Sequence, residues 1–214
     1  MLDVQTRTRF NEANDSHYYL VPGVIVTIMT MIGALLTSLV MAREYERGTL
    51  ESLFVTPVGS GEILTAKAAT NFLLGMVSLA ISMIFAAFVF DIPIRGSLTL
   101  LLAVSALFLI VALGLGLVIS TATKNQFLAC QFAIMGTFMP ALMLSGFLYD
   151  ILNMPPAVRA LTYMIPARYY VTLLQTLFLA GDIPSVIIPC CITLGVFAVV
   201  LMGIARLKAP KSLE

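Results

Sequence analysis

The side chains able to do chemistry are few in this chain and widely spaced. The single histidine is His17, so a serine hydrolase built on Ser145 lacks a general base inside the apolar segments. Asp150 and Asp182 loosely match the paired acids of intramembrane aspartyl proteases, but both lie at the edges of apolar runs, where solvent and helix ends explain them better. The sequence has no P-loop for nucleotide phosphates. We therefore expect no catalytic residue, metal or cofactor in this chain.

Composition indicates a membrane protein. Of the 214 residues, 60% are hydrophobic and 11% are charged, with a mean hydropathy of +1.01, whereas an ordinary soluble domain has about 25% charged residues. These values exclude a disordered chain and an ordinary cytosolic enzyme. The formal net charge of +1 is too small to attract a nucleic acid electrostatically. Cys130, Cys190 and Cys191 lie in apolar runs without metal-ligand spacing, so we expect them to be small apolar packing residues.

Five stretches lack Asp, Glu, Lys, Arg and His, and we predict that each is a transmembrane helix. The shortest has 23 residues, about 35 Å of helix at roughly 1.5 Å per residue, and a bilayer core is about 30 Å thick. Backbone polar groups in lipid must be satisfied within the segment, which favours helices. The fold class is therefore an all-α polytopic membrane protein. The predicted spans are Leu20–Ala42, Ala68–Phe90, Gly96–Thr123, Asn125–Tyr149 and Ile183–Ala205.

An odd number of spans places the two chain ends on opposite sides of the membrane. Seven basic residues are then on the C-terminal side and five on the other, so the positive-inside rule predicts a cytoplasmic C-terminus and an outside N-terminus. The first set is Arg43, Arg47, Lys67, Lys124, Arg206, Lys208 and Lys211, and the second is Arg7, Arg9, Arg95, Arg159 and Arg168.

The ends of the chain differ from the apolar region between them. Val4–Phe10 alternates apolar or β-branched residues with polar ones, a period-two pattern that predicts a short strand, and a lone strand has nothing to pair with. We therefore expect residues 1–19 to be the end of an incomplete outside domain, preceded by another span. Residues 20–208 form the membrane domain. Residues 209–214 are a tail, and its final Leu213–Glu214 is consistent with a cloning remnant.

The connection after the first span, Arg43–Glu62, holds four of the eleven acidic residues. Gly48 permits a helix break, Thr49 suits an N-cap, and Pro57 ends the segment. This predicts a short amphipathic helix along the cytoplasmic face. Because helices resting on anionic lipid favour Lys and Arg, the acidic Glu51 favours a protein groove as the partner rather than headgroups alone. The apolar face carries residues at i, i+3 and i+4, which are Leu50, Leu53 and Phe54.

The connection before the last span, Asp150–Asp182, is long and rich in proline. Ala167–Ala180 within it is apolar but only 14 residues long, which suits a re-entrant or interfacial segment rather than a span. Both a lid that seals the bundle and an outer gate fit this pattern. The residues that predict helix starts and breaks are Asn153, Pro155, Pro156 and Pro166. The tyrosines that suit a membrane interface are Tyr163, Tyr169 and Tyr170.

The first long connection resembles a specific family. Arg43–Leu53 reads R-E-Y-E-R-G-T-L-E-S-L and is followed by Thr56-Pro57, which is similar to the cytoplasmic segment R-E-x-E-x-G-T-x-E-x-L-x-x-T-P of ABC-2 type transporter permeases. Leu20–Gly23 and Asn153–Pro156 followed by Ile165–Tyr169 resemble the same family in the same order. The resemblance covers nearly the whole chain. Such permeases typically have six spans with an outside domain after the first, which implies that this chain lacks the first span.

The resemblance implies a non-catalytic membrane subunit of a bacterial ABC exporter in the inner membrane. Two permease subunits, identical or different, would pair with two ATP-binding subunits that hold ATP and Mg²⁺. Thr49–Thr56 would be a coupling helix seated in an ATPase groove, and the substrate would be an amphipathic or lipid-like molecule or a drug. The implied coupling residues are Glu44, Arg47, Gly48, Thr49, Leu50, Glu51, Leu53, Phe54 and Pro57. The implied outer gate is Asn153, Pro155, Pro156, Pro166, Arg168 and Tyr169.

Two other classes of function stay open from the residues. An ATP-independent channel or secondary carrier would transport without any ATPase, although ion-coupled transport normally leaves ionisable residues at membrane depth and the five apolar runs contain none. An intramembrane aspartyl protease would depend on Asp150 and Asp182.

Overall fold

The computed structural model describes residues 17–48, 60–90, 92, 95–149 and 151–208, and these residues form helices without any strand. The predicted strand Val4–Phe10 and the predicted helix Thr49–Thr56 lie outside the described residues. The α-helices are α1 His17–Thr30, α2 Thr37–Glu46, α3 Ser60–Phe88, α4 Leu98–Thr123, α5 Gln126–Ala133, α6 Met139–Leu144, α7 Pro156–Thr162, α8 Pro166–Gln175 and α9 Pro184–Lys208. Short π-helical segments occupy Met31–Leu36, Ile134–Phe138 and Thr176–Ala180, and a 3₁₀ turn occupies Ile151–Asn153.

Five helical stretches are long and apolar enough to cross a bilayer, which confirms the predicted all-α polytopic fold. The first extends past the predicted boundary at Ala42 because helix continues through the charged residues up to Glu46. The chain is a multi-pass membrane protein. The spans, numbered 1 to 5, are Leu20–Glu46, Thr65–Phe88, Leu98–Thr123, Gln126–Leu144 and Pro184–Leu207.

Span 3 lies at the centre of the bundle and contacts each of the other spans. Its buried residues include Leu101, Phe108 and Leu117, which are spread along its whole length. Spans 2 and 5 instead expose large apolar side chains such as Phe85 and Val199, as expected for helices whose outer faces meet lipid. The central helix therefore provides the fixed frame against which the functional segments are placed.

The connection between spans 4 and 5 folds back into the bundle as a helical hairpin, formed by α7 and α8. Helix α8 packs against spans 1, 3 and 5. Two π-helical turns contact each other within the bundle. They are Met31–Leu36 of span 1 and Ile134–Phe138 of span 4. The second has a clear cause, since Pro140 has no N–H to donate to the carbonyl of Gly136 and a π turn accommodates the missing bond.

The alternating spans give the bundle two distinct ends. The Glu46 end carries Glu44, Glu46, Lys67 and the start of span 4 at Gln126. The Asp182 end carries Arg95, Ser97, Leu179 and Asp182. The predicted cytoplasmic and outer connections thus lie at opposite ends, while the orientation of these ends in the membrane stays a prediction.

Candidate functional site

Span 1 stops where the sequence predicts a break. Its helix ends at Glu46, the Arg47 N–H donates to the Arg43 carbonyl, and Gly48 adopts a φ of 66°. A glycine in the left-handed region directly after a helix is a common C-terminal stop, because it has no Cβ to strain that conformation. The following residues, 49–59, lie outside the described part of the chain.

The helices on either side of that segment are joined by side chains. Lys67 of span 2 forms an ion pair with Glu44 of span 1, and both side chains are partly exposed. One turn deeper, Asn71 donates to the hydroxyl of Thr37 over 3.1 Å, with both residues buried. A polar bond between two membrane helices is worth about 0.6 to 2 kcal/mol. Spans 1 and 2 are therefore held as a pair at the Glu46 end.

Glu46 connects span 1 to span 4. Its Oε2 accepts a hydrogen bond of 3.0 Å from the backbone N–H of Gln126, 80 residues further along the chain. Asn125 is the N-cap of the same helix and accepts from the N–H groups of Phe127 and Leu128. Two side chains thus satisfy three of the backbone N–H groups that lack a partner within the helix. The negative charge of Glu46 also interacts favourably with the positive end of the helix dipole.

The predicted coupling residues fall into two groups. Glu44, Arg47 and Gly48 are described and lie at the Glu46 end, where Glu44 pairs with Lys67 and Arg47 is exposed. The others lie outside the described residues, so their docking role stays a prediction. They are Thr49, Leu50, Glu51, Leu53, Phe54 and Pro57.

The hairpin begins as its prolines predict. Asn153 ends the 3₁₀ turn, Pro155 is the N-cap of α7, and Pro156 is its first residue. Pro166 likewise begins α8. Proline suits the first helical position because its missing N–H has no partner to lose there.

The tip of the hairpin reaches the middle of the bundle. Tyr170 stacks on Phe108 of span 3 with a centroid distance of 4.1 Å, and its hydroxyl donates to Ser105 over 2.8 Å. Phe108 lies about 15 Å along its helix from Leu98, at roughly 1.5 Å per residue. Tyr169 meets Phe197, which is similarly near the middle of span 5. The short apolar segment therefore folds back among the spans, as the re-entrant prediction expects.

The prediction that the tyrosines lie at a membrane interface is wrong for Tyr170, whose relative exposure is 0%. An amphipathic ring suits either an interface or a buried site that offers a hydrogen-bond acceptor, and the Ser105 hydroxyl provides that acceptor here. Tyr163, by contrast, is 52% exposed, and Tyr169 donates its hydroxyl to the Tyr163 carbonyl over 3.0 Å.

Arg168 is the charged residue of this tip. Its guanidinium donates to the Thr162 hydroxyl and lies 3.9 Å from the centroid of the Tyr163 ring. The positive-inside count includes Arg168 among the residues of the outer side, and its side chain is partly exposed beside Thr162 and Tyr163.

A cavity of about 100 Å³ lies beside the hairpin tip. It is bounded by the tip on one side and by spans 1, 3 and 4 on the others, next to the two π segments. Nearly all of its wall is apolar, apart from two threonine residues. The lining residues are Thr30, Phe108, Ala112, Leu115, Gly136, Thr137, Ala141, Met164, Ile165, Pro166 and Ala167.

The end of the hairpin is tied to the start of span 3 by three hydrogen bonds. The Gly96 N–H donates to the Leu177 carbonyl over 2.8 Å, Arg95 donates to the Leu179 carbonyl over 3.2 Å, and the Ser97 N–H donates to Asp182 over 3.0 Å. Asp182 therefore acts at a helix start, as expected for an acid at the edge of a span. Its predicted protease partner Asp150 lies outside the described residues.

The structure separates the six predicted gate residues. Asn153, Pro155 and Pro156 are exposed around the start of α7, while Pro166, Arg168 and Tyr169 lie at the tip. Sequence reasoning also missed Glu46, Lys67 and Asn71 as links between helices, and Asn125 as the cap of its own helix. The sequence signal for these roles was weak: Asn71 is a lone amide within an apolar run, and Asn125 stands at the start of another.

Comparison with known proteins adds an independent line of support. Residues 3–179 match the family model described as ABC-2 type transporter. The chain is 47% identical over its whole length to a probable multidrug ABC transporter permease, YbhS, of Escherichia coli, and covers 57% of that protein. It is 31% identical over 180 residues to the probable multidrug ABC transporter permease YbhR of the same organism, covering 83% of this chain and 48% of the relative. The chain therefore spans about half the length of these curated relatives.

Proposed function

Because the chain belongs to the ABC-2 type transporter family, we propose that it is the membrane-spanning part of a permease subunit in an ATP-driven exporter. A separate subunit hydrolyses ATP, and a second permease subunit, identical or different, completes the pathway. The chain lies in a bacterial inner membrane with its Glu46 end in the cytoplasm. The names of the relatives, which describe probable multidrug permeases, support an amphipathic molecule or drug as substrate.

The observation that carries this proposal is the arrangement around residues 49–59. That segment begins directly after the helix stop at Gly48 and precedes α3, which starts at Ser60. The helices before and after it are joined by the Glu44–Lys67 ion pair, so a force on the segment moves spans 1 and 2 together. Glu46 passes the displacement to the start of span 4.

Rigid helices then carry the movement toward the hairpin. Spans 1 and 4 contribute Thr30, Gly136 and Thr137 to the wall of the cavity beside the hairpin tip. A shift of either span changes the shape of this wall, and this change is the mechanical route from ATP binding to substrate release. No side chain of this chain takes part in a covalent step.

The test is a pull-down of the ATP-binding subunit with variants of the segment. Leu53→Asp and Glu51→Lys should abolish co-purification with the ATPase while leaving insertion into the membrane unchanged. Leu207→Asp is the matched control, because Leu207 is 76% exposed at the same end of the bundle but outside the segment. Normal co-purification of both segment variants would contradict the proposal. Export that persists after deletion of the ATPase would favour an ATP-independent carrier instead.

A further inference from the structure

The cavity beside the hairpin tip has a wall that suits an apolar occupant. Apart from Thr30 and Thr137, its lining residues are apolar or glycine. Both threonine hydroxyls donate within their own helices, Thr30 to the Val26 carbonyl and Thr137 to the Ala133 carbonyl, so neither hydroxyl proton is available to a molecule in the cavity. A buried water needs about two to four polar partners. This wall therefore favours an apolar group over water.

The cavity lies at the depth of the bilayer centre. Its wall includes Phe108 of span 3 and Gly136 of span 4. Each lies about 15 Å along its helix from the first residue of that span, at roughly 1.5 Å per residue, and the hydrocarbon core is about 30 Å thick. The cavity is therefore level with the part of the membrane that contains acyl chains rather than headgroups.

The cavity opens to the outside of the bundle at Gly136 and Met164, which both line it. Gly136 is exposed, and an added Cβ would meet nothing within 4 Å among the described residues. Met164 is 72% exposed. The exposed side chains next to Gly136 on span 4 are those of Met135 and Met139, so the rim of the opening is apolar as well. A molecule that enters here from outside the bundle comes from the hydrocarbon core.

The size of the cavity limits what it can hold. Its volume is about 100 Å³, whereas an engineered apolar cavity of about 150 Å³ holds a benzene molecule. A fused-ring molecule is therefore too large to enter, while the end of a narrow chain fits. Met164 at the opening has a flexible, unbranched side chain that can adjust to such a chain.

We propose that this cavity binds the free end of an unbranched alkyl chain, which enters between span 4 and the hairpin. The rest of the chain stays outside, along the rim formed by Met135 and Met139. The inference deepens the proposed function, because it assigns one group of an amphipathic substrate to a place in the bundle, and it rests on that function only for the identity of the chain as cargo. The chain belongs either to a single-chain amphiphile or to a bilayer phospholipid.

The test is nuclear Overhauser spectroscopy of the full chain in digitonin, a detergent whose fused rings are too wide for the cavity. The probe is 1-decanol, and the alanine methyl groups of the protein are ¹³C-labelled, as is one end of the probe. The terminal methyl of decanol should give a saturable Overhauser effect at the Ala112 methyl, which lines the cavity and is 1% exposed. The C1 methylene should give none there. Ala86 is the internal control, because it is equally buried but outside the cavity wall.

A filled cavity provides the matched variant. Ala141→Leu adds bulk to the wall and should remove the effect at Ala112, whereas Ala80→Leu on the exposed face of span 2 should leave it unchanged. Absence of a saturable effect at Ala112 in the unsubstituted chain overturns the proposal, as does an equal effect at Ala86. Both comparisons hold even where Ala141→Leu fails to fold. An undiminished effect in the folded Ala141→Leu variant also overturns it.

A second measurement separates the two sources of the chain. The experiment is repeated in nanodiscs of phosphatidylglycerol, where phospholipid chains compete with decanol for the cavity. An effect at Ala112 that persists supports a single-chain amphiphile as the occupant, and an effect that is present in digitonin but lost in nanodiscs supports a phospholipid chain. Because neither ATP nor an ATPase is present, failure here is separate from failure of the pull-down.

Discussion

The two ends of the bundle differ in one kind of bond: a backbone–backbone hydrogen bond joins two segments at the Asp182 end, whereas a side chain takes part in each link described at the Glu46 end. At the Glu46 end, side chains make the links: an ion pair between Glu44 and Lys67, and a carboxylate cap from Glu46 to Gln126. At the Asp182 end, backbone groups take part in every link between the hairpin and the start of span 3, including the direct bond from Gly96 to Leu177. Side-chain links can be changed one at a time by substitution, whereas backbone links fix the two segments in register.

This difference matches the tasks proposed for the two ends. An end that receives force from a partner must transmit movement through several helices, and side-chain links allow small rearrangements. An end that anchors a re-entrant hairpin must keep the tip of that hairpin at a set depth. Substitutions at the two ends should therefore have effects of different size.

The largest effect is expected for Gly96→Ala at the Asp182 end. An added Cβ would lie 2.9 Å from Leu177 Cδ2 and 3.0 Å from both the Leu177 carbonyl oxygen and Asp182 Oδ1. Overpacking of this kind costs about 1–3 kcal/mol, and the clash falls on the backbone link itself. Thermal unfolding in detergent should show a clear loss of stability. Gly203→Ala is the control, because its Cβ would meet nothing within 4 Å. Equal stability of the two variants would show that the backbone link is not rigid.

A smaller effect is expected for Glu46→Ala at the other end. Loss of a helix cap costs about 0.5–2 kcal/mol, and Asn125 still caps the same helix. Hydrogen exchange at the Gln126 amide should accelerate about tenfold, while exchange at the start of span 3 stays unchanged. Glu46→Gln, which keeps an oxygen acceptor, should recover most of the protection. Unchanged exchange in Glu46→Ala would remove Glu46 as a link between spans 1 and 4.

The smallest effect is expected for the ion pair. Glu44→Gln and Lys67→Gln, separately and together, form a double-mutant cycle whose coupling energy should be about 0.2–1 kcal/mol, because both groups retain some exposure. Thermal unfolding at low and high salt provides the measurement, and the coupling should fall as salt rises. A coupling energy of zero at low salt would leave Asn71–Thr37 as the polar bond between spans 1 and 2 at this end.

The spans could be predicted from sequence because each is a charge-free run longer than the bilayer core requires. The re-entrant hairpin was partly predictable, since a largely apolar segment of 14 residues between prolines is too short to cross. Its depth was not, because the stacking of Tyr170 on Phe108 joins residues from distant parts of the chain. The contact of Glu46 with Gln126 was hidden for the same reason, since local spacing carries no information about a partner 80 residues away.

The site residues show the same division. Gly48 and Pro156 follow local backbone rules and lie at a helix stop and a helix start, as predicted. Arg168 looks like an ordinary loop cation in the sequence, and only the fold of the hairpin brings it to the Thr162 hydroxyl and the Tyr163 ring. Local chemistry therefore predicts where elements begin and end, while the depth of a side chain depends on tertiary packing.

The π segment at Met31–Leu36 affects how span 1 tolerates changes in length. A π turn contains more residues than the α turn it replaces, so this part of the helix holds surplus backbone. Removal of a single residue here lets the helix close into a regular α turn while the flanking residues keep their facing. The same deletion elsewhere in span 1 would rotate every later side chain by about 100°. A relative with one residue fewer in this span should therefore have its alignment gap within Met31–Leu36.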